Sequence, residues 1–246
     1  MTAPVLYCGD TALDNAAAYL AGLLTRWGFE FDYCPSDRQL DPASVLGRRL
    51  VILSDYPSAQ MNVDAQAKLL DAVSAGTNLL MIGGWESFHG LGGDWDLTAI
   101  AAALPVDIQR DDDRLNCDHP VLIRQIASHP AVDGLPWTDR TPYVGGFNRF
   151  QPRPQAKVIL EADRVRAHHR DGLWQVELME SHPLLVVGSY GSGTTAALAT
   201  DVAPHWVGGF VDWGDQRVTG QAEGSTAIEV GDLYAKFWNQ LLTFLT

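Results

Sequence analysis

Apolar and polar positions in the first half of the chain fall into two alternating textures. Short segments at Val5–Cys8, Phe29–Tyr33, Leu50 to Leu53 and Leu79–Ile82 are bounded by turn residues and read as strands, several of them apolar enough for burial on both faces. Between them lie stretches of helical period. Leu13–Trp27 sets Leu20, Leu23, Leu24 and Trp27 at three-to-four spacing before Gly28, and Asp64–Ala75 sets Leu69, Leu70 and Val73 on one face before Gly76. Strands alternating with helices in this way predict an α/β fold around a parallel sheet.

The second half has a different grain. A short helix is predicted over Leu97–Leu104, closed by Pro105, and the Pro-, Gly- and His-rich segment from Cys117 to Phe150 is expected to wander over the carboxyl-end face. Ala156–Glu161, Leu173–Leu178, Leu184–Gly188 and Thr194–Thr200 then read as strands without intervening helices, which predicts antiparallel strands added to the parallel sheet. A last helix, Gly231–Leu245, turns Leu233, Phe237, Leu241 and Leu245 inward.

The organising stretch is Thr77–Asp96, where the Leu79–Ile82 strand runs into Gly83, Gly84, Trp85, Glu86, Ser87, Phe88 and His89. Ligands of open α/β sheets bind beyond the carboxyl ends of the strands, so this turn is the candidate site. Gly83 and Gly84 allow close approach of backbone to a ligand and could offer N–H groups, while Trp85, Glu86, Ser87 and His89 add an aromatic face, a carboxylate, a hydroxyl and an imidazole.

Composition narrows the field of functions. With 246 residues and no linker or low-complexity tract, residues 1–246 are expected to form one domain. A net charge of −13, with only 17 Lys and Arg, disfavours nucleic acid and anionic membranes as partners, because both are bound through clustered cations. No segment has the ~18 apolar residues of a membrane span, and the first residues lack a basic and then apolar leader pattern, so a cytoplasmic protein is expected. Three cysteines without a CxxC suggest neither a disulfide framework nor a thiolate zinc site.

The nucleophile elbow pattern G-x-S-x-G is absent: Ser87 lacks flanking glycines at that spacing, Ser192 sits in Gly191-Ser-Gly193, and Cys8 reads as a buried strand residue. Gly191–Ala196 matches G-x-G-x-x-A formally but leads into a strand and reads as a hairpin turn. Glu86 with His89, and Asp201 with His205, are candidate acid/base pairs. The Cys117, Asp118, His119, His129 and His168-His169 positions do not follow a metal-ligand spacing, so neither a metal nor a cofactor is expected. Asp111–Asp113 reads as a solvated acidic run in which Arg114 could pin a loop. Trp85, Trp95, Trp137, Trp206 and Trp213 are expected on carboxyl-end loops, closing a pocket or a subunit interface.

Taken together, several blocks resemble the putative glutamine amidotransferase family of the class I glutamine amidotransferase-like superfamily. They are Leu53-Ser54-Asp55, Met81–Gly90, Leu104-Pro105-Val106, Asp112-Asp113-Arg114, His129-Pro130, Gly134–Trp137, Gly146-Phe147-Asn148, Pro183-Leu184-Leu185, Tyr190–Gly193 and Thr200–Trp206, in that order along nearly the whole chain. The resemblance implies a three-layer αβα flavodoxin-like core with a carboxyl-end pocket. An active amidotransferase of the superfamily needs an elbow cysteine, and Gly83–Ser87 supplies no thiol. The expected function is binding, and where chemistry occurs hydrolysis, of a small polar metabolite. Glu86, Ser87, His89, Asp201 and His205 are its candidate catalytic groups, and Asp55, Gly83, Gly84, Trp85, Asp113, Arg114 and Trp206 its candidate ligand contacts. The alternative is a catalytically inert, homo-oligomeric interaction protein.

Overall fold

The computed structural model describes residues 2–246. The chain opens with β1 (Val5–Gly9), α1 (Ala17–Arg26) and β2 (Phe31–Cys34), then β3 (Leu50–Ser54), α2 (Val63–Ala75) and β4 (Asn78–Ile82). All four strands are parallel and stand in the order β2-β1-β3-β4. The chain leaves β1 in one direction through α1 and crosses from β3 to β4 in the other through α2, so right-handed crossovers place the two helices on opposite faces of the sheet. Both helix ends follow local chemistry: the Asn62 side chain caps the Ala65 amide of α2, and Gly76 ends it with φ 122°.

Beyond β4, two 3₁₀ turns at Trp95–Leu97 and Ala99–Ala103 replace the single short helix expected there. Next come β5 (Val106–Ile108), β6 (Arg114–Gln125), β7 (Tyr143–Asn148), β8 (Phe150–Pro152), β9 (Lys157–Arg170), β10 (Leu173–Tyr190) and β11 (Gly193–Leu198). The nine-stranded sheet continues β4-β11-β10-β9-β6-β7. β11 pairs parallel with β4, while β10, β9, β6 and β7 pair antiparallel. The fold is therefore mixed α/β, a flavodoxin-like parallel half extended by antiparallel strands. The small β5–β8 and β12–β13 ribbons lie beside it, with β12 at Arg217–Gly220 and β13 at Ile228–Gly231.

The segment from Cys117 to Phe150 departs from expectation, since its two ends are strands of the main sheet, β6 and β7, and only the stretch between them is loop. Leu115, Cys117, Val121 and Ile123 alternate with polar residues at period two, but Asp118-His119-Pro120 interrupts the pattern and the β6–β7 register shifts there. The terminal helix α3 (Asp232–Leu245) lays Tyr234, Phe237, Trp238, Leu241, Leu242 and Leu245 against the core and packs on α1, where the Trp27 indole donates to the Ala235 carbonyl at 3.0 Å. No described helix is long and apolar enough to cross a membrane.

Candidate functional site

Three strands of the parallel half lead into a small residue followed by an aspartate: Gly9-Asp10 at the end of β1, Ser54-Asp55 at the end of β3 and, in the loop two residues beyond β11, Thr200-Asp201. β1 and β3 are neighbours in which Gly9 pairs with Ser54, so Asp10 and Asp55 leave the sheet side by side, and Asp201, reached across β4 from the loop after β11, is close enough to feel both of their charges. Asp10 and Asp55 both adopt left-handed backbone, with φ 49° and 44°, a conformation that costs an L-residue energy and is held by its surroundings. Tyr7 supplies part of that hold, its hydroxyl donating to Asp10 Oδ2 at 2.6 Å. Asp55 Oδ1 accepts the Glu86 amide at 2.7 Å, and the Asp55 amide donates to Ser87 Oγ at 3.0 Å. Asp201 Oδ1 accepts the Val202 and Ala203 amides at 2.5 and 3.0 Å.

Burial sets the protonation of the group. Desolvation, opposed in part by the Tyr7 hydroxyl, pushes Asp10 up to about 6. Desolvation and the neighbouring Asp10 charge push Asp55 up to about 8, and burial together with Asp10 and Asp55 carries Asp201 well above the ordinary carboxylate range. Glu86, half-buried at the mouth of the group, is raised by desolvation. Like charges this close cannot all ionise, so the cluster keeps protons at neutral pH and can donate as well as accept hydrogen bonds. Ser54, fully buried beneath it, is close enough to favour the charged form of Asp10, yet its hydroxyl makes no hydrogen bond of normal geometry. Among the described residues no three His, Cys, Asp or Glu side chains are arranged to hold a metal ion.

The glycine-rich loop itself is largely internal scaffolding. The Gly83 amide donates to the Leu198 carbonyl at 2.7 Å and the Gly84 amide to Asn148 Oδ1 at 2.9 Å, so neither N–H faces a ligand. Gly84 matters through the space it leaves: a Cβ there would stand 2.1 Å from Asp55 Oδ1. Asp113, fully buried, clamps the loop by accepting the His89 and Gly90 amides at 2.9 and 3.1 Å and the Asn148 side-chain amide at 2.7 Å. Ser87 is buried and engaged with Asp55. His89 turns to Asp96 rather than to Glu86, with 2.8 Å between Nδ1 and Oδ1; desolvation works against its charged form, and the Asp96 carboxylate outweighs this and raises it.

An aromatic and cationic rim stands beside the carboxyl group. Trp85, 41% exposed, is covered on one face by the Arg114 guanidinium at 4.6 Å and meets the exposed His205 ring edge-on at 5.7 Å. Arg114 is held by two bonds to Asp112, at 2.9 and 2.8 Å, as its position beside the acidic run suggested. Asp201 and His205 do not bond to one another, since the Asp201 carboxylate is turned to its own loop amides. Trp206 is 2% exposed and donates to Asn116 Oδ1 at 2.7 Å, a packing role rather than an open contact. Trp95, Trp137 and Trp213 are buried in the chain's own core, so of the five loop tryptophans Trp85 alone is exposed. Gly9-Asp10 reads in the sequence as a plain turn, and only the fold brings Asp10 into the carboxyl cluster; its signal in the sequence is the small residue followed by Asp, which recurs at Ser54-Asp55 and Thr200-Asp201.

A parallel half of order 2-1-3-4 with an antiparallel extension is the mixed α/β architecture of a class I glutamine amidotransferase-like protein. The family described as Putative glutamine amidotransferase matches residues 44–219, and the chain belongs to it. Two solved cytoplasmic proteins of Salmonella typhimurium are similar along their whole length. One is 23% identical with a TM-score of 0.74, covering 98% of both chains; the other is 22% identical with a TM-score of 0.75, covering 98% of this chain and 99% of its own. A putative ThuA-like protein of Bacteroides uniformis is 14% identical, with a TM-score of 0.51 over 98% of this chain and 91% of its own. These likenesses concern the fold. None of the curated proteins matches.

Proposed function

We propose that the chain is a cytoplasmic, non-thiol member of its family that binds a small polar metabolite, neutral or cationic, at the carboxyl ends of β1, β3 and β11. The observation that carries this reading is the meeting of Asp10, Asp55 and Asp201 with Glu86 above them, two of the aspartates in left-handed backbone. A buried group of carboxyls is costly to fold around, and such groups concentrate where a ligand or a reacting atom uses them. Protonated and ionised carboxyls side by side suit hydroxyl or amine groups and repel anions, while Trp85 and His205 offer flat faces to an apolar ring edge. If hydrolysis follows binding, Asp55 at about 8 is the acid and Asp10 at about 6 the base, a pair whose values are pushed apart by environment.

Glutamine hydrolysis through a thioester is not part of this reading. Cys8 lies inside β1, Cys34 at the end of β2 and Cys117 in β6, and the turn after β4 holds Ser87, whose hydroxyl is buried. The test is thermal shift and calorimetry of wild type, Asp55→Asn, Asp201→Asn and Glu86→Ala against polyols, sugars and amines. Compounds that stabilise wild type should lose most of that effect in the Asp55 and Asp201 variants. Equal stabilisation of all four proteins would remove the carboxyl cluster from the site, and ammonia release from glutamine that disappears on thiol alkylation would restore the thioester reading.

A further inference from the structure

The β9–β10 hairpin runs past both of its neighbours. β6 pairs with β9 only as far as Arg164, and β11 pairs with β10 only as far as Leu185, so residues 165–170 and 173–178 pair with each other alone. β10 is antiparallel to β11, and the arm therefore rises beyond the carboxyl end of β11, on the same side of the sheet as Asp201.

Cross-strand register gives this arm two unlike faces. One face pairs Val165 with Leu178, Ala167 with Val176 and His169 with Trp174, whose rings lie 5.2 Å apart. The other carries Arg164, Arg166, His168, Glu177 and Glu180, with Arg164–Glu180 and His168–Glu177 pairs formed within the arm. Trp174, Val176 and Leu178 are 72%, 61% and 54% exposed. A two-stranded hairpin with one apolar face is marginal in water by itself and needs that face covered.

We propose that a second copy of this chain covers it, the two arms packing apolar face to apolar face about a two-fold axis. One patch facing its own image is the requirement of an isologous interface. With a tryptophan and five further side chains, each face offers on the order of 500 Å². The pair then buries about 1,000 Å², the lower end for a specific interface. The apolar face bears no carboxyl group, so two copies can meet there without burying like charges. This interface replaces the tryptophan loops as the place where copies meet, and it does not depend on the ligand proposed above.

Light scattering coupled to gel filtration tests it. Wild type at about 20 µM should elute at twice the chain mass, Trp174→Glu/Val176→Glu at the chain mass with unchanged circular dichroism, and Arg166→Gln/Glu177→Gln at twice the mass; loss of central apolar anchors weakens such a contact by about 100-fold or more. In wild type, amides of 165–170 and 173–178 should exchange at least about ten times faster on dilution below the dissociation constant, a readout that needs no variant. A wild type of single-chain mass at 100 µM, a double variant that still dimerises, arm exchange independent of concentration, or an arm that instead carries a monomer onto lipid vesicles would each overturn the proposal.

Discussion

Replacing Asp55 by Asn should stabilise the protein at alkaline pH and leave it unchanged at acid pH. Asn keeps the oxygen that accepts the Glu86 amide and resembles the protonated acid, so the comparison isolates ionisation. The folded chain raises Asp55 from 3.8 to about 8 and so holds a proton that the unfolded chain releases between those values. Stability contributed by that proton is fully present below about pH 4 and is lost as pH rises through 8. The span corresponds to about 6 kcal/mol at 1.36 kcal/mol per tenfold. Because Asp10 and Asp201 share the same field and can take up part of the change, about half of it should follow Asp55 alone, ~3 kcal/mol. Urea unfolding of both proteins at pH 4.5, 7 and 9 reads the difference directly. A gap that does not grow with pH, or an Asn variant less stable at pH 9, would refute the picture of a protonated carboxyl cluster.

Other outcomes follow from the loop and the rim. Asp113→Ala strands the buried Gly90 amide, the half-buried His89 amide and the Asn148 side chain, and should cost about 3 kcal/mol in urea unfolding, far more than loss of a surface aspartate; a cost below about 1 kcal/mol would show that the clamp is idle. Gly84→Ala sets a methyl against the Asp55 carboxylate, so it should lower stability by about 2 kcal/mol or more, and the double change with Asp55→Gly should recover most of it. Arg114→Ala uncovers Trp85, and should change stability by less than about 1 kcal/mol while shifting the Trp85 fluorescence towards that of a solvated indole.

Much of the architecture could be read from residue order. The unbroken apolar runs of β1, β3 and β4, the helix stops at Gly28 and Gly76 and the amphipathic α3 are local signals, and they account for the parallel half and its ordering into an α/β sheet. The small-residue-then-Asp pairs at Gly9-Asp10 and Ser54-Asp55 are local as well and fall side by side once β1 and β3 pair in parallel, whereas the place of Asp201 depends on the loop after β11. What residue order did not reveal depends on contacts far apart in sequence. β6 was hidden because Asp118-His119-Pro120 breaks its alternation, and β11 looked like an outer hairpin strand until its pairing with β4 placed it inside the parallel sheet. Gly83, Gly84, Ser87 and Asp113 have the composition of a ligand loop, but their polar groups are taken by Leu198, Asn148 and Asp55, partners up to 115 residues away. Hydrogen-bonding groups in a sequence are only capacities, and the tertiary fold decides which are spent holding the loop and which, like the carboxyls of Asp10, Asp55 and Asp201, are left under strain at its edge.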